Sequence, residues 1–205
     1  MGAAKRRARR GMGHPIDEKF GEWTRGLSAD DARVAVFERI RDIPYAVVPS
    51  MSSALGYTRM LAAGKGSCTP KHFLLRDMYE RLGLLTLYAV YPFRWSDLEV
   101  DYPPFLRDLA RAVPISYHLA CKVEIEGRLV LVDATVDRPL RRLGLPVNEN
   151  WDGRSSMLLP VTPVGDEQLY HPAEVSGYEA SYDGVSLEFF SLMNEWLSKV
   201  REGLL

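Results

Sequence analysis

Two cysteines among 205 residues are too few to staple a fold. Cys68 and Cys121 also stand far apart in unlike surroundings, which argues against an oxidised, secreted scaffold. A net charge of −1 leaves no overall drive toward nucleic acid or an anionic membrane. No run approaches the ~18 uninterrupted apolar residues of a membrane span. Five basic and no acidic groups lie in residues 1–14 (Lys5, Arg6, Arg7, Arg9, Arg10), leaving −6 on the rest. No apolar stretch of the roughly 7–15 residues that a secretory signal needs follows this arm. The expectation is a soluble, cytoplasmic protein with neither nucleic acid nor membrane as partner.

At 46% apolar residues, the chain can bury a sizeable core. Residues 1–14 are expected to be a disordered basic arm, because their composition offers nothing to bury. Residues 15–205 are expected to form one domain, with its core at about 32–137 and a C-terminal extension over 138–205.

Ser28-x-x-Asp31 has the form of a helix start, and Ala32, Val36, Phe37 and Ile40 follow as an apolar stripe. Pro44 requires that helix to end before it. A second, short helix is predicted from about Ser52 to Ala62, stopped by Gly64. Next comes GKGSC and a helix with Pro70 in its first turn and Gly83 at its exit. Leu84–Tyr91 is rich in strand formers, and Pro103-Pro104 opens a short helix. Tyr117–Ile125 and Arg128–Ala134 read as strands joined at Glu126-Gly127, a two-residue hairpin turn. Residues 138–183 give no regular pattern. A last helix carries Val185, Phe189, Leu192, Met193, Trp196, Leu197 and Val200 on one face. Helices, then an antiparallel sheet, then a helix is an α+β order.

The turn chemistry of the hairpin dictates its register. With Glu126-Gly127 at the turn, Ile125 faces Arg128, Val123 faces Val130, Cys121 faces Val132 and Ala120 faces Asp133. His118 and Asp133 then become diagonal neighbours on one face, roughly 7 Å apart at Cα. Slipping the register by one residue separates them. Cys68, at a helix start, has free backbone N–H groups and the positive end of the helix dipole beside it, both of which favour thiolate. Gly64 and Gly66 are expected to keep the approach to the sulfur clear of side-chain bulk.

These residues resemble the triad of the transglutaminase-like superfamily, whose core is a papain-like α+β fold. The resemblance runs from about Ala32 to Asp137. It rests on RDIPY (Arg41–Tyr45), on GKGSC leading into a helix, and on the strand pair SYHLACKVEIEGRLVLVDAT. Where many members carry an aromatic residue after the histidine, this chain has Leu119-Ala120. The resemblance implies Cys68 as nucleophile, His118 as general base and acid, and Asp133 as the group orienting the imidazole. It implies thioester chemistry on a peptide, protein or small amide substrate, the acyl group passing to water or to an amine; hydrolysis is favoured because it is the weaker demand.

Other readings stay open at this stage. Cys68, His72, His118 and Asp133 are four ligands of a type zinc accepts. A binding module keeping the fold without catalysis would also carry the pattern. Asp137 and Asp101 are substitutes for Asp133 in a different register. His72, Tyr57, Trp95 and Trp151 are auxiliary candidates, Trp151 as an exposed aromatic in a turn. Cys121 is expected to be buried. No nucleotide, flavin or calcium signature appears, and no cofactor is expected.

Overall fold

A side-chain cap sets the start of one early helix, and a tight turn sets that of the next. The computed structural model describes residues 15–204; the basic arm lies outside the described residues. Helix α1 (Pro15–Thr24) has no counterpart in the expected elements. Its signal is nonetheless in the sequence: Ile16, Phe20 and Trp23 recur at helical spacing and pack on the cluster that holds Val36, Phe37 and Ile40. Helix α2 (Ala29–Arg41) starts where the Ser28 hydroxyl accepts the Asp31 N–H at 3.1 Å. Helix α3 (Tyr57–Ala63) starts five residues later than expected. Residues Pro49–Met51 form a 3₁₀ turn first, and Gly56 sits so close to Met51 that a Cβ would stand 1.7 Å from its carbonyl oxygen. Gly64, at φ 66°, ends α3 in the left-handed region.

Helix α4 (Cys68–Arg81) buries Leu74, Leu75 and Met78 completely. Strand β1 (Thr86–Phe93), helix α5 (Pro104–Ala112), β2 (Ser116–Ile125), β3 (Arg128–Val132) and β4 (Gln168–Tyr170) follow. The four strands form one antiparallel sheet in the order β3-β2-β1-β4. Glu126 (φ 52°) and Gly127 (φ 75°) make the turn, and β2 pairs with β3 in the expected register, Ile125 with Arg128 through Cys121 with Val132. Helix α6 (Gly184–Glu202) is capped by Asp183, which accepts the Ser186 N–H at 2.8 Å.

Two large clusters carry most of the packing, with a small third of Ala89, Tyr91, Ala120 and Leu131. One joins α2 and α4 to the sheet face of Cys121, Val123 and Val132. The other gathers α5 and α6 around Phe93, Trp95, Leu106, Phe189 and Trp196. The architecture is α+β, with the cysteine helix packed on an antiparallel sheet and a helix at the C-terminal end. Among the described residues, no helix is long and apolar enough to cross a membrane.

Candidate active site

Cys68 is the first residue of α4. Ser67, at the N-cap, offers no side-chain hydrogen bond, so it leaves the first-turn N–H groups uncapped at the positive end of the helix dipole. The preceding loop is held from the side by RDIPY: Gly66 N–H donates to Pro44 O at 3.0 Å, and Ala46 N–H donates to Gly66 O at 3.2 Å. The glycines have another reason than an open approach to sulfur. A Cβ on Gly66 would meet the Met60 side chain at 2.6 Å and Pro70 at 3.1 Å, and Gly64 serves the α3 exit.

His118 and Asp133 are both almost wholly buried, and His118 Nε2 lies 2.6 Å from Asp133 Oδ2. Asp133 sits one residue past the last β2–β3 ladder pair, where the chain is free to turn its carboxylate to the histidine. Its other oxygen accepts the Thr135 N–H at 2.9 Å. With Nε2 engaged, Nδ1 is the nitrogen left for the hydrogen bond between the His118 ring and the Cys68 sulfur.

The electrostatics agree with that geometry. Burial raises the Cys68 thiol, but the hydrogen bond and charge of His118 and the Leu119 backbone N–H overturn it. The thiol ends below its ordinary range. Burial pulls His118 down, and the charge and hydrogen bond of Asp133 carry it well above an ordinary histidine. Burial likewise raises Asp133, and His118 brings it below the ordinary carboxylate range. All three shifts favour thiolate, imidazolium and carboxylate together.

His72 is brought to this cluster, but both its nitrogens are used by backbone. Nδ1 donates to Cys68 O at 2.9 Å and Nε2 accepts the Ala134 N–H at 3.0 Å. Burial keeps it neutral, pushed down to about 4. It ties the cysteine helix to the aspartate strand, and it has no lone pair free for a metal. That removes the four-ligand zinc arrangement, and among the described residues no other group of three or more His, Cys, Asp or Glu is grouped to hold a metal ion.

The remaining candidates separate. Trp95 is at the site: it lines the cavity beside Cys68, and its Nε1–H donates to Ser116 Oγ at 3.0 Å. Tyr57 is not; it lies in the core and hydrogen-bonds Asp77. Trp151 is buried rather than exposed. It packs edge-on against Phe37 at 5.3 Å and donates to Ser155 O at 2.8 Å, away from the cavity. Asp101 is a surface partner of Arg107. Asp137 is buried and engaged by Arg201 Nε and Nη2 at 2.7 and 2.8 Å and by the Tyr45 N–H at 2.7 Å. It fastens α6 to the RDIPY turn. Cys121 is fully buried, as expected.

Three contributors escaped the sequence reading. Lys71, wholly buried, donates from Nζ to Arg41 O at 2.9 Å and Thr135 O at 2.7 Å, and burial pushes it down to about 7. Its signal was a lysine on the same helical face as Leu74, Leu75 and Met78. Tyr45 lines the cavity, and residues 178–183 form one of its walls. That wall is held by Ala54 N–H to Tyr178 O at 2.9 Å and Ala180 N–H to Ser52 O at 2.8 Å, contacts no local pattern announces.

Neither a protein-family model nor a curated protein matches the chain. A solved structure similar to it is titled a "Putative Cysteine Protease" from Cytophaga hutchinsonii. The two share 16% identity at a TM-score of 0.43, over 62% of this chain and 38% of that one. The chain therefore spans well under half of that protein's length.

Proposed function

We propose that this chain is a cysteine hydrolase of the papain-like, transglutaminase-like type, with Cys68, His118 and Asp133 as its triad and an amide as its substrate. The observation that carries this reading is the 2.6 Å pair of His118 Nε2 with Asp133, which leaves Nδ1 for a sulfur at a helix start.

The thiolate of Cys68 attacks the amide carbon, forming a C–S bond while the carbonyl electrons move to oxygen. The Cys68 N–H, at the positive end of α4, donates to that oxyanion. Collapse breaks the C–N bond, and His118 gives its Nδ1 proton to the departing amine. Water then attacks the thioester, with His118 taking its proton, and the acid leaves as the thiolate returns. Asp133 holds the ring in one tautomer and stabilises the imidazolium between these transfers. Transfer to an amine needs a second seated nucleophile and exclusion of water; hydrolysis needs neither, and we assign water as the acceptor.

The test is turnover of peptide and amide libraries with intact-mass detection. An acyl adduct on Cys68 and loss of turnover in Cys68→Ala are expected. Unchanged turnover in Cys68→Ala refutes the assignment.

A further inference from the structure

Two cavities meet at His118, the candidate base, and one of them holds the candidate nucleophile. The larger, about 470 Å³, is lined by Cys68 and His118 together with Phe93, Trp95, Leu98, Ile115, Val161 and Phe190. The smaller, about 420 Å³, is lined by Phe73, Val90, Leu119, Tyr170 and Val175. Thr69, Tyr117, His118 and Tyr178 line both and form the waist between them. Among the described residues lining either lobe there is no lysine or arginine; besides the Cys68–His118 ion pair, the charged side chains are Glu179 and Asp183, both in the larger. The larger lobe also contains Thr135, whose buried Oγ1 has no hydrogen-bond partner in the protein.

Resting on the cysteine-hydrolase reading, we propose that the substrate is an amide whose acyl side carries an uncharged aromatic or branched aliphatic group, seated in the larger lobe, and whose amine side is apolar and seated in the smaller. The acyl carbon must lie against Cys68, which lines the larger lobe. The leaving amine must collect its proton from His118, which lines both. A carboxylate on the acyl group would enter a mostly apolar lobe with two carboxylates on its wall, where the one cation, the His118 imidazolium, is already paired with Asp133 and Cys68, so its lost hydration finds little compensation. An apolar group gains by leaving water, and the Thr135 hydroxyl is available to a polar atom of the ligand backbone.

The experiment uses the chloromethyl ketones of N-acetylphenylalanine, N-acetylleucine and N-acetylaspartate, each of which alkylates a thiolate with loss of chloride. Rates of Cys68 modification are read by intact mass and divided by the iodoacetamide rate, which removes differences in thiolate content. The aromatic and aliphatic reagents are expected to react about ten-fold faster or more than the acidic one. Ile115→Lys, at an exposed position on the lobe, should narrow that gap by raising the acidic reagent's rate. An acidic reagent within about two-fold of the aromatic one overturns the proposal. A separate arm measures binding of N-acetylphenylalaninamide and N-acetylaspartamide to Cys68→Ala by calorimetry. Tighter binding of the aromatic amide supports the proposal; equal binding, or none of either, overturns it. Because this arm does not depend on reactive sulfur, failure of the lobe assignment is distinguished from failure of the catalytic one, which shows as a Cys68 no more reactive than a free thiol.

Discussion

Replacing Asp133 with asparagine exchanges one acceptor oxygen for an NH₂ donor at a carboxylate where both oxygens must accept. Oδ2 takes the His118 Nε2–H at 2.6 Å and Oδ1 takes the Thr135 N–H at 2.9 Å. The amide can serve only one of them. If its oxygen keeps His118, the buried Thr135 N–H is left facing a donor, which costs about 1–3 kcal/mol of stability. If it keeps Thr135, the NH₂ faces Nε2, the proton moves to Nδ1, and the ring can no longer accept from the Cys68 thiol. In both orientations the imidazolium loses the charge of its carboxylate partner, and in the second the hydrogen bond as well, a loss of about 1.5–3 kcal/mol or roughly one to two pKa units. The iodoacetamide rate at Cys68, followed by intact mass across pH, should therefore have its midpoint well below the ~8.5 of a free thiol in the unmodified protein. In Asp133→Asn it should rise by about one to two units, and in His118→Ala it should return to the free value. Turnover should fall further than labelling, on the order of 10²–10⁴-fold, because the ring must also shuttle protons. Cys121 is fully buried, so a single adduct reports Cys68. One titration near the free-thiol value, unmoved by either substitution, refutes the triad.

Three further outcomes follow from the contacts around the site. His72 is held neutral down to about 4, whereas in the unfolded chain it takes a proton near ~6.5. Its contribution is therefore complete above about pH 6.5, declines as pH falls and is gone by about 4, a loss of about 3 kcal/mol; urea midpoints against pH should show that slope, and His72→Gln should flatten it. Arg201→Ala leaves the buried Asp137 carboxylate with the Tyr45 N–H alone, and should lower unfolding free energy by about 3 kcal/mol; a change under ~0.5 kcal/mol in a denaturant titration refutes the anchoring role. Cys121→Ala removes a fully buried sulfur and should cost about 1 kcal/mol in the same titration, while the Cys68 labelling profile stays in place.

The sheet and the candidate site were legible because their determinants are local. Glu126-Gly127 dictates a two-residue turn, the turn dictates the register, and the register puts His118 diagonal to Asp133; each link spans a few residues. Cys68 was legible for the same reason, through a turn, a helix-compatible proline and a glycine exit. Helix α1 was missed although Ile16, Phe20 and Trp23 carry its period, because Gly21 and a polar remainder dilute the stripe. Trp151 looked exposed because its turn is polar, yet its ring is buried by Phe37, a residue far away in sequence. Residues 138–183 stayed opaque since little in them is regular: 3₁₀ turns at Arg138–Leu143 and Pro172–Val175 and a three-residue strand.

That division has a chemical meaning. The proposed nucleophile, base and orienting acid lie on α4, on β2 and just past β3, elements whose positions follow from periodicity and turn type. The larger lobe takes one wall from residues 178–183, which reach the cysteine through backbone bonds to Ser52 and Ala54. Another part of its lining comes from Val161, in a stretch bridged to β1 at Phe93 and Pro163. These are pairings between distant segments with no periodic signature. Bond-breaking groups must be held within tenths of an ångström by regular elements, whereas substrate choice requires only a surface of the right polarity and volume, which irregular chain can supply. On the proposed reading, the groups that would carry the reaction lie in the patterned half of the sequence, and most of the surface that would choose the substrate lies in the unpatterned half.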